Sequence, residues 1–148
     1  DSLLRADVAK DDKYNVLETA NLTVPFVLFP PVTGTVSQGY DASVEHYAVD
    51  VVVPRNTPIK AAAQGNVVFA GWTAETGYVV IIDHPYNIIT VYKHNASLNV
   101  HQGDSVETGQ VIAIAGNSGN MTTGPHLHFE LWSDGYALNP EEFIEFES

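Results

Sequence analysis

The sequence predicts an all-β domain, a compact sandwich or partly open barrel, and two observations predict it. Glycines recur between short apolar runs from Thr33 onward, at Gly34, Gly39, Gly65, Gly71, Gly77, Gly103, Gly109, Gly116, Gly119 and Gly124. That is the punctuation of strands and turns rather than of βαβ units. The same region carries no convincing helical period. Strands are expected at 34–38, 47–53, 58–62, 65–71, 77–83, 88–94, 97–100, 110–115 and 126–132, and so many edges must be paired or covered, which favours a closed or layered sheet.

Taken in order, residues 1–30 read differently from the rest, as a tail or linker or the end of a helical anchor. Leu3, Leu4, Ala6 and Val8 have rough helical spacing among Asp, Lys and Arg, an amphipathic helix too short to be stable alone. Pro25, Pro30 and Pro31 mark the boundary, with Phe26 to Phe29 an extended lead-in. Residues 31–148 form the domain. The 148 residues, 45% of them apolar, suit one domain with a sizeable core. No apolar run approaches the ~20 residues of a membrane helix, and no signal peptide opens the chain. It begins at Asp1 rather than Met, which leaves room for a removed leader, anchor or preceding domain. The absence of cysteine excludes a disulfide framework, a thiolate metal site and a cysteine nucleophile.

A formal charge of −12, from 18 acidic and 6 basic residues, argues against nucleic acid and against attraction to an anionic surface. Glu141, Glu142, Glu145 and Glu147 read as a solvated acidic tail.

Chemistry concentrates in NSGNMTTGPHLHFELW, Asn117 to Trp132. On a strand side chains alternate, so His126, His128 and Glu130 face one way while Leu127, Phe129 and Leu131 face the other. Two imidazoles at one spot are half of a metal site. HYAVD, His46 to Asp50, read as the start of a strand, supplies a nitrogen and a carboxylate on a common face. Catalytic zinc takes three protein ligands at roughly 2.0–2.2 Å and leaves a position for water. His46, Asp50 and one histidine of the pair meet that count, leaving the other histidine for proton transfer.

H-x3-D, then Tyr-x-His at Tyr92 to His94, then G-P-H-L-H-F-E resembles the lysostaphin-like, or LytM-type, zinc endopeptidases of bacterial peptidoglycan. PVTGTVSQGYD, TPIKAAAQGNVVFAG, GYVVIIDH, TVYKHN and VHQGDSVETGQVIAIAGNSG match in order from about Pro31 to Phe143. Ala48, where the family often has glycine, and Asn95, where leucine is common, depart from the pattern without removing a reacting group. The resemblance implies an antiparallel sheet with a zinc groove across one face. It assigns one zinc to His46, Asp50 and His128, an acid/base pair to His94 and His126, and an oxyanion-supporting hydroxyl to Tyr40. It implies peptidoglycan stem or cross-bridge peptides as substrate and an extracytoplasmic, bacterial setting. A latent form in which Asn15 or Asn21 occupies the metal's open position is a further family possibility.

The remaining positions read more plainly. Alternation puts Thr90, Tyr92 and His94 on one face. His84 reads as structural, His101 as an exposed turn residue, Trp72 and Tyr78 as packing aromatics, and Glu130 either as a support for an imidazole or as a surface acid. There is no H-E-x-x-H helix and so no glutamate base of that kind. A lipoyl-type carrier shares the V-x2-G-D-x-V-x2-G-Q rhythm at Val100 to Gln110, but neither Lys60 nor Lys93 lies in the required hairpin. A sugar-transport phosphocarrier does not call for H-x3-D with H-x-H. A ligand-depleted regulator of other wall hydrolases is disfavoured because every ligand and both auxiliary histidines are present.

Overall fold

The computed structural model describes residues 24–116 and 124–147. The expected helix at Leu3 to Val8, Asn15, Asn21 and residues 117–123, the first part of the stretch Asn117 to Trp132, lie outside these residues. Ten strands alternate with turns and short 3₁₀ segments: β1 (Thr35–Gln38), β2 (Val49–Val52), β3 (Pro58–Lys60), β4 (Gly65–Thr73), β5 (Gly77–His84), β6 (Ile88–Leu98), β7 (Ser105–Val106), β8 (Val111–Ala115), β9 (His126–Ser133) and β10 (Tyr136–Leu138). They form one antiparallel sheet, ordered β1-β2-β9-β6-β5-β4-β7, with β10 on β9 and β3 on β8, which also pairs with β6. The all-β, antiparallel expectation is borne out.

β9 is central because its two faces are chemically unlike. Leu127, Phe129 and Leu131 are fully buried in the main apolar core with Val49, Val51, Ile59, Ile82, Tyr92 and Ile112. Each such side chain contributes roughly 1.5–3 kcal/mol by leaving water. The opposite face carries His128, Glu130 and Trp132, the last in a smaller cluster with Val79, Val91 and Ala137. β2 lies along the first half of β9, with Asp50 opposite His128, and β10 along the second half.

Two departures from the expected strands matter for function. Segments 88–94 and 97–100 are expected as separate strands, but β6 runs without a break through the first and into the second, ending at Leu98. Lys93 pairs opposite His128 of β9, and Asn95 opposite Ala115 of β8. Between them His94 takes φ +69°, a left-handed conformation costing on the order of 1–3 kcal/mol for a non-glycine residue. The chain changes partners there instead of ending. HYAVD is likewise not one strand. β2 begins at Val49, and His46 is held before it by backbone bonds with Asp41, N to O 3.0 Å and its own carbonyl to Asp41 N 2.8 Å.

Candidate metal centre

Each residue of the site is delivered by a different piece of local structure. Asp50 comes from β2 and His128 from the facing residue of β9. His46 comes from the turn before β2. Its Nδ1–H donates to Gly39 O at 2.8 Å, which leaves Nε2 as an acceptor 3.0 Å from Asp50 Oδ2. His128 Nδ1 lies 3.0 Å from Asp50 Oδ1, and its Nε2 lies 2.8 Å from Glu130 Oε2. His46, Asp50 and His128 each offer a donor atom within 4.8 Å of the others.

The chemistry of this donor set fits a divalent cation. With Nδ1 of His46 and Nε2 of His128 donating to oxygen, the inward atoms are two imidazole lone pairs and a carboxylate. Such acceptors repel unless protons or a cation lie among them. Two nitrogens and one oxygen form a set that zinc takes. The field shows in the ionisation of the group. Burial would lower His128, but hydrogen bonds to Asp50 and Glu130 outweigh it and raise its pKa. Burial would raise Asp50, and the His128 contact reverses that too.

His94 and His126 stand beside this group. Their ring centroids are 5.3 Å apart, and His94 is 5.7 Å from His128. His126 Nδ1–H donates to Gly124 O at 3.0 Å, while its buried Nε2 has no hydrogen-bond partner among the described residues. A buried, unpaired imidazole nitrogen is costly unless it has work to do.

His94 corrects the alternation argument. Tyr92 faces the main core, its ring 5.3 Å from Phe129, as does Thr90, whose hydroxyl is 2.8 Å from the Tyr92 hydroxyl. His94 instead faces the histidines of β9. The left-handed residue turns its side chain to the other side of the sheet. Lys93 and His94 together oppose Val79 in a bulge between β5 and β6, a device that re-aims a side chain. The bulge is stapled by Asn95 Nδ2, which donates to Tyr78 O at 3.0 Å and Tyr92 O at 3.1 Å, and by His94 N donating to Thr76 O at 2.9 Å. Asn95, which the sequence marks only as a departure from leucine, thus shapes the site.

Tyr40 neighbours Gly39, the acceptor for His46, and its ring packs 6.1 Å from Tyr47. Burial raises its pKa. Glu130 is fully buried rather than a surface acid. His84 is a core residue between Gln64 O and Thr90 Oγ1, each at 2.7 Å, and the side chain of His101 is 92% exposed. Trp72 and Tyr78 are not core aromatics. They pair across the β4–β5 hairpin, whose end from Trp72 to Glu75 is exposed, and are themselves 56% and 37% exposed.

The profile of peptidase family M23 matches residues 44–140, a stretch that contains all five residues of the cluster. The chain belongs to this family. Among its relatives is the DD-carboxypeptidase/endopeptidase Mpg of Neisseria meningitidis, 37% identical over 95 residues, 64% of this chain and 22% of that protein. Another is the murein hydrolase activator EnvC of Escherichia coli, 38% identical over 88 residues, 60% of this chain and 21% of that protein. The chain thus spans about a fifth of the length of these two relatives. The antimicrobial peptidase lysostaphin of Staphylococcus simulans has a similar structure, with a TM-score of 0.64 and 31% identity over 78% of this chain and 49% of lysostaphin. The lysostaphin-like reading of the motifs is borne out. M23 relatives therefore include proteins named as peptidases and one named as an activator. Among the described residues no helix of this M23 domain is long and apolar enough to cross a membrane.

Proposed function

We propose that this M23 domain is a zinc-dependent endopeptidase that hydrolyses peptide cross-links of bacterial cell-wall peptidoglycan outside the cytoplasm. One observation carries the reading: the metal-fitting group of His46, Asp50 and His128 is complete, and two further histidines, His94 and His126, converge on its edge. A regulator needs none of this arrangement. The names of Mpg and lysostaphin support a peptidase, and the acidic chain supports recognition through the groove rather than by attraction to an anionic wall.

In this reading His46 through Nε2, His128 through Nδ1 and Asp50 through its carboxylate hold one zinc ion. Bound there, the metal would supply Lewis acidity to the scissile carbonyl and lower the pKa of water. The rest falls to the protein. His126, fixed by Gly124 O, presents Nε2 as the acceptor for a proton of the attacking water. His94 delivers a proton to the departing amine, so that the carbonyl carbon gains hydroxyl and the nitrogen gains hydrogen. Imidazole suits both tasks because its ordinary pKa, about 6.5, lies near working pH. Tyr40 supports the oxyanion.

The test is mass spectrometry of products released from sacculi of two cross-link types, with and without a zinc chelator. Chelator-sensitive release of peptides is expected, and the product masses identify the bond. Zinc binding without cleavage of either would overturn the enzyme reading in favour of a regulator.

A further inference from the structure

Glu130 has no assigned part in the site above, yet few carboxylates are so completely enclosed. It lies two residues after His128 on β9, and its side chain is fully buried. Burying a charge is expensive unless donors surround it. They do. Oε2 accepts from His128 Nε2 at 2.8 Å and from Lys93 Nζ at 2.9 Å, and Oε1 accepts from Trp132 Nε1 at 2.9 Å. Lys93 reaches it from β6, where it pairs directly opposite His128, and is itself 8% exposed.

The consequence falls on His128. A neutral imidazole carries one proton, and a carboxylate at Nε2 keeps it there. Nδ1 is then a lone pair, aimed at Asp50. Lys93 and Trp132 grip the carboxylate from two sides, so it fixes the plane of the ring as well as its tautomer. We propose that Glu130, clamped by Lys93 and Trp132, is the positioning carboxylate that sets the tautomer and orientation of His128 for a divalent metal. This rests on the metal reading of His46, Asp50 and His128. A purely structural Lys93–Glu130 ion pair would affect folding stability alone. A positioning carboxylate affects metal affinity and the location of a proton. Outer partners of metal-bound histidines are typically worth about 10–100-fold in affinity.

Glu130→Gln tests this. The amide keeps an acceptor for Trp132 Nε1 but turns a donor toward His128 Nε2, favouring the opposite tautomer. Zinc affinity is measured by chelator competition on the folded protein, and the His128 proton is located by nitrogen-15 NMR of histidine-labelled protein. The expected result is a wild-type domain that binds zinc with His128 protonated at Nε2, and an E130Q variant that binds about 10–100-fold more weakly. Equal affinity in the two proteins would overturn the proposal. So would a wild-type zinc form in which His128 carries its proton on Nδ1, a reading that needs no variant to fold. No zinc binding by the wild type would instead bring down the metal reading, and this inference with it.

Discussion

His84 and His128 are both sunk into the same sheet and both have oxygen partners on each ring nitrogen, yet they answer to opposite electrostatics. His84 sits in a neutral chain. Ala62 N donates to the Tyr92 hydroxyl at 3.0 Å, and the hydroxyls of Tyr92 and Thr90, His84 and Gln64 O continue it in one direction. Burial lowers the His84 pKa, and the hydrogen bond to Gln64 O and the charge of Asp83 raise it too little to reverse that. His128 has carboxylates on both sides, Asp50 and Glu130, and its pKa is raised. Partners, not burial, separate a histidine that holds a core together from one fitted to a metal. One is satisfied by the protein; the other has a lone pair to give.

The sharpest break of this comparison is at the carboxylate. Asp50→Ala removes a donor atom and is expected to reduce zinc affinity well beyond the roughly 10–100-fold carried by a ligand's hydrogen-bond partner, read by metal content after dialysis. His84→Ala should leave zinc content unchanged. His126→Ala is expected to lower kcat by about 10²–10⁴ while the metal stays bound, seen in peptide release alongside metal analysis. If it strips the zinc instead, His126 belongs with His128 rather than beside it.

Asn95→Ala loosens the bulge that turns His94 toward the site. Misplacement by an ångström costs on the order of 100-fold, so turnover should fall with little change in metal affinity.

Smaller effects sharpen the His84 side. Its folded pKa lies below the ordinary value of about 6.5, so below that pH the unfolded chain binds more protons. Its contribution is present above about pH 6.5 and is lost as pH falls toward the folded value. His84→Gln should therefore show a weaker loss of stability over that window in denaturant titrations of zinc-free protein, together with a deficit of about 1–3 kcal/mol at neutral pH. His101→Ala, on an exposed turn, should change stability by no more than about 0.5 kcal/mol.

Much of this was legible in the residues. Period-two alternation sorted β9 into a packing face and a chemical face, and the glycine punctuation located most strands. H-x3-D brought His46 to Asp50 even though His46 reaches it from a turn, because what matters is where the side chain ends. Alternation failed at His94, since a left-handed residue reverses the face and nothing in TVYKHN announces one. Glu130 was undecided because burial depends on Lys93 and Trp132, whose proximity is set by register between β6 and β9. β7 and β10 carry two and three residues and give too little pattern to find. The exposure of Trp72 was missed because an aromatic in a strand looks alike in core and hairpin end.

The most direct measurement is anomalous X-ray diffraction at the zinc edge from crystals grown with the metal. The account predicts one strong peak, at roughly 2.0–2.2 Å from His46 Nε2, Asp50 and His128 Nδ1, with His94 and His126 beside it and not bonded to it. A peak held by His94 or His126, or zinc bound elsewhere on the acidic surface with this group empty, would contradict it.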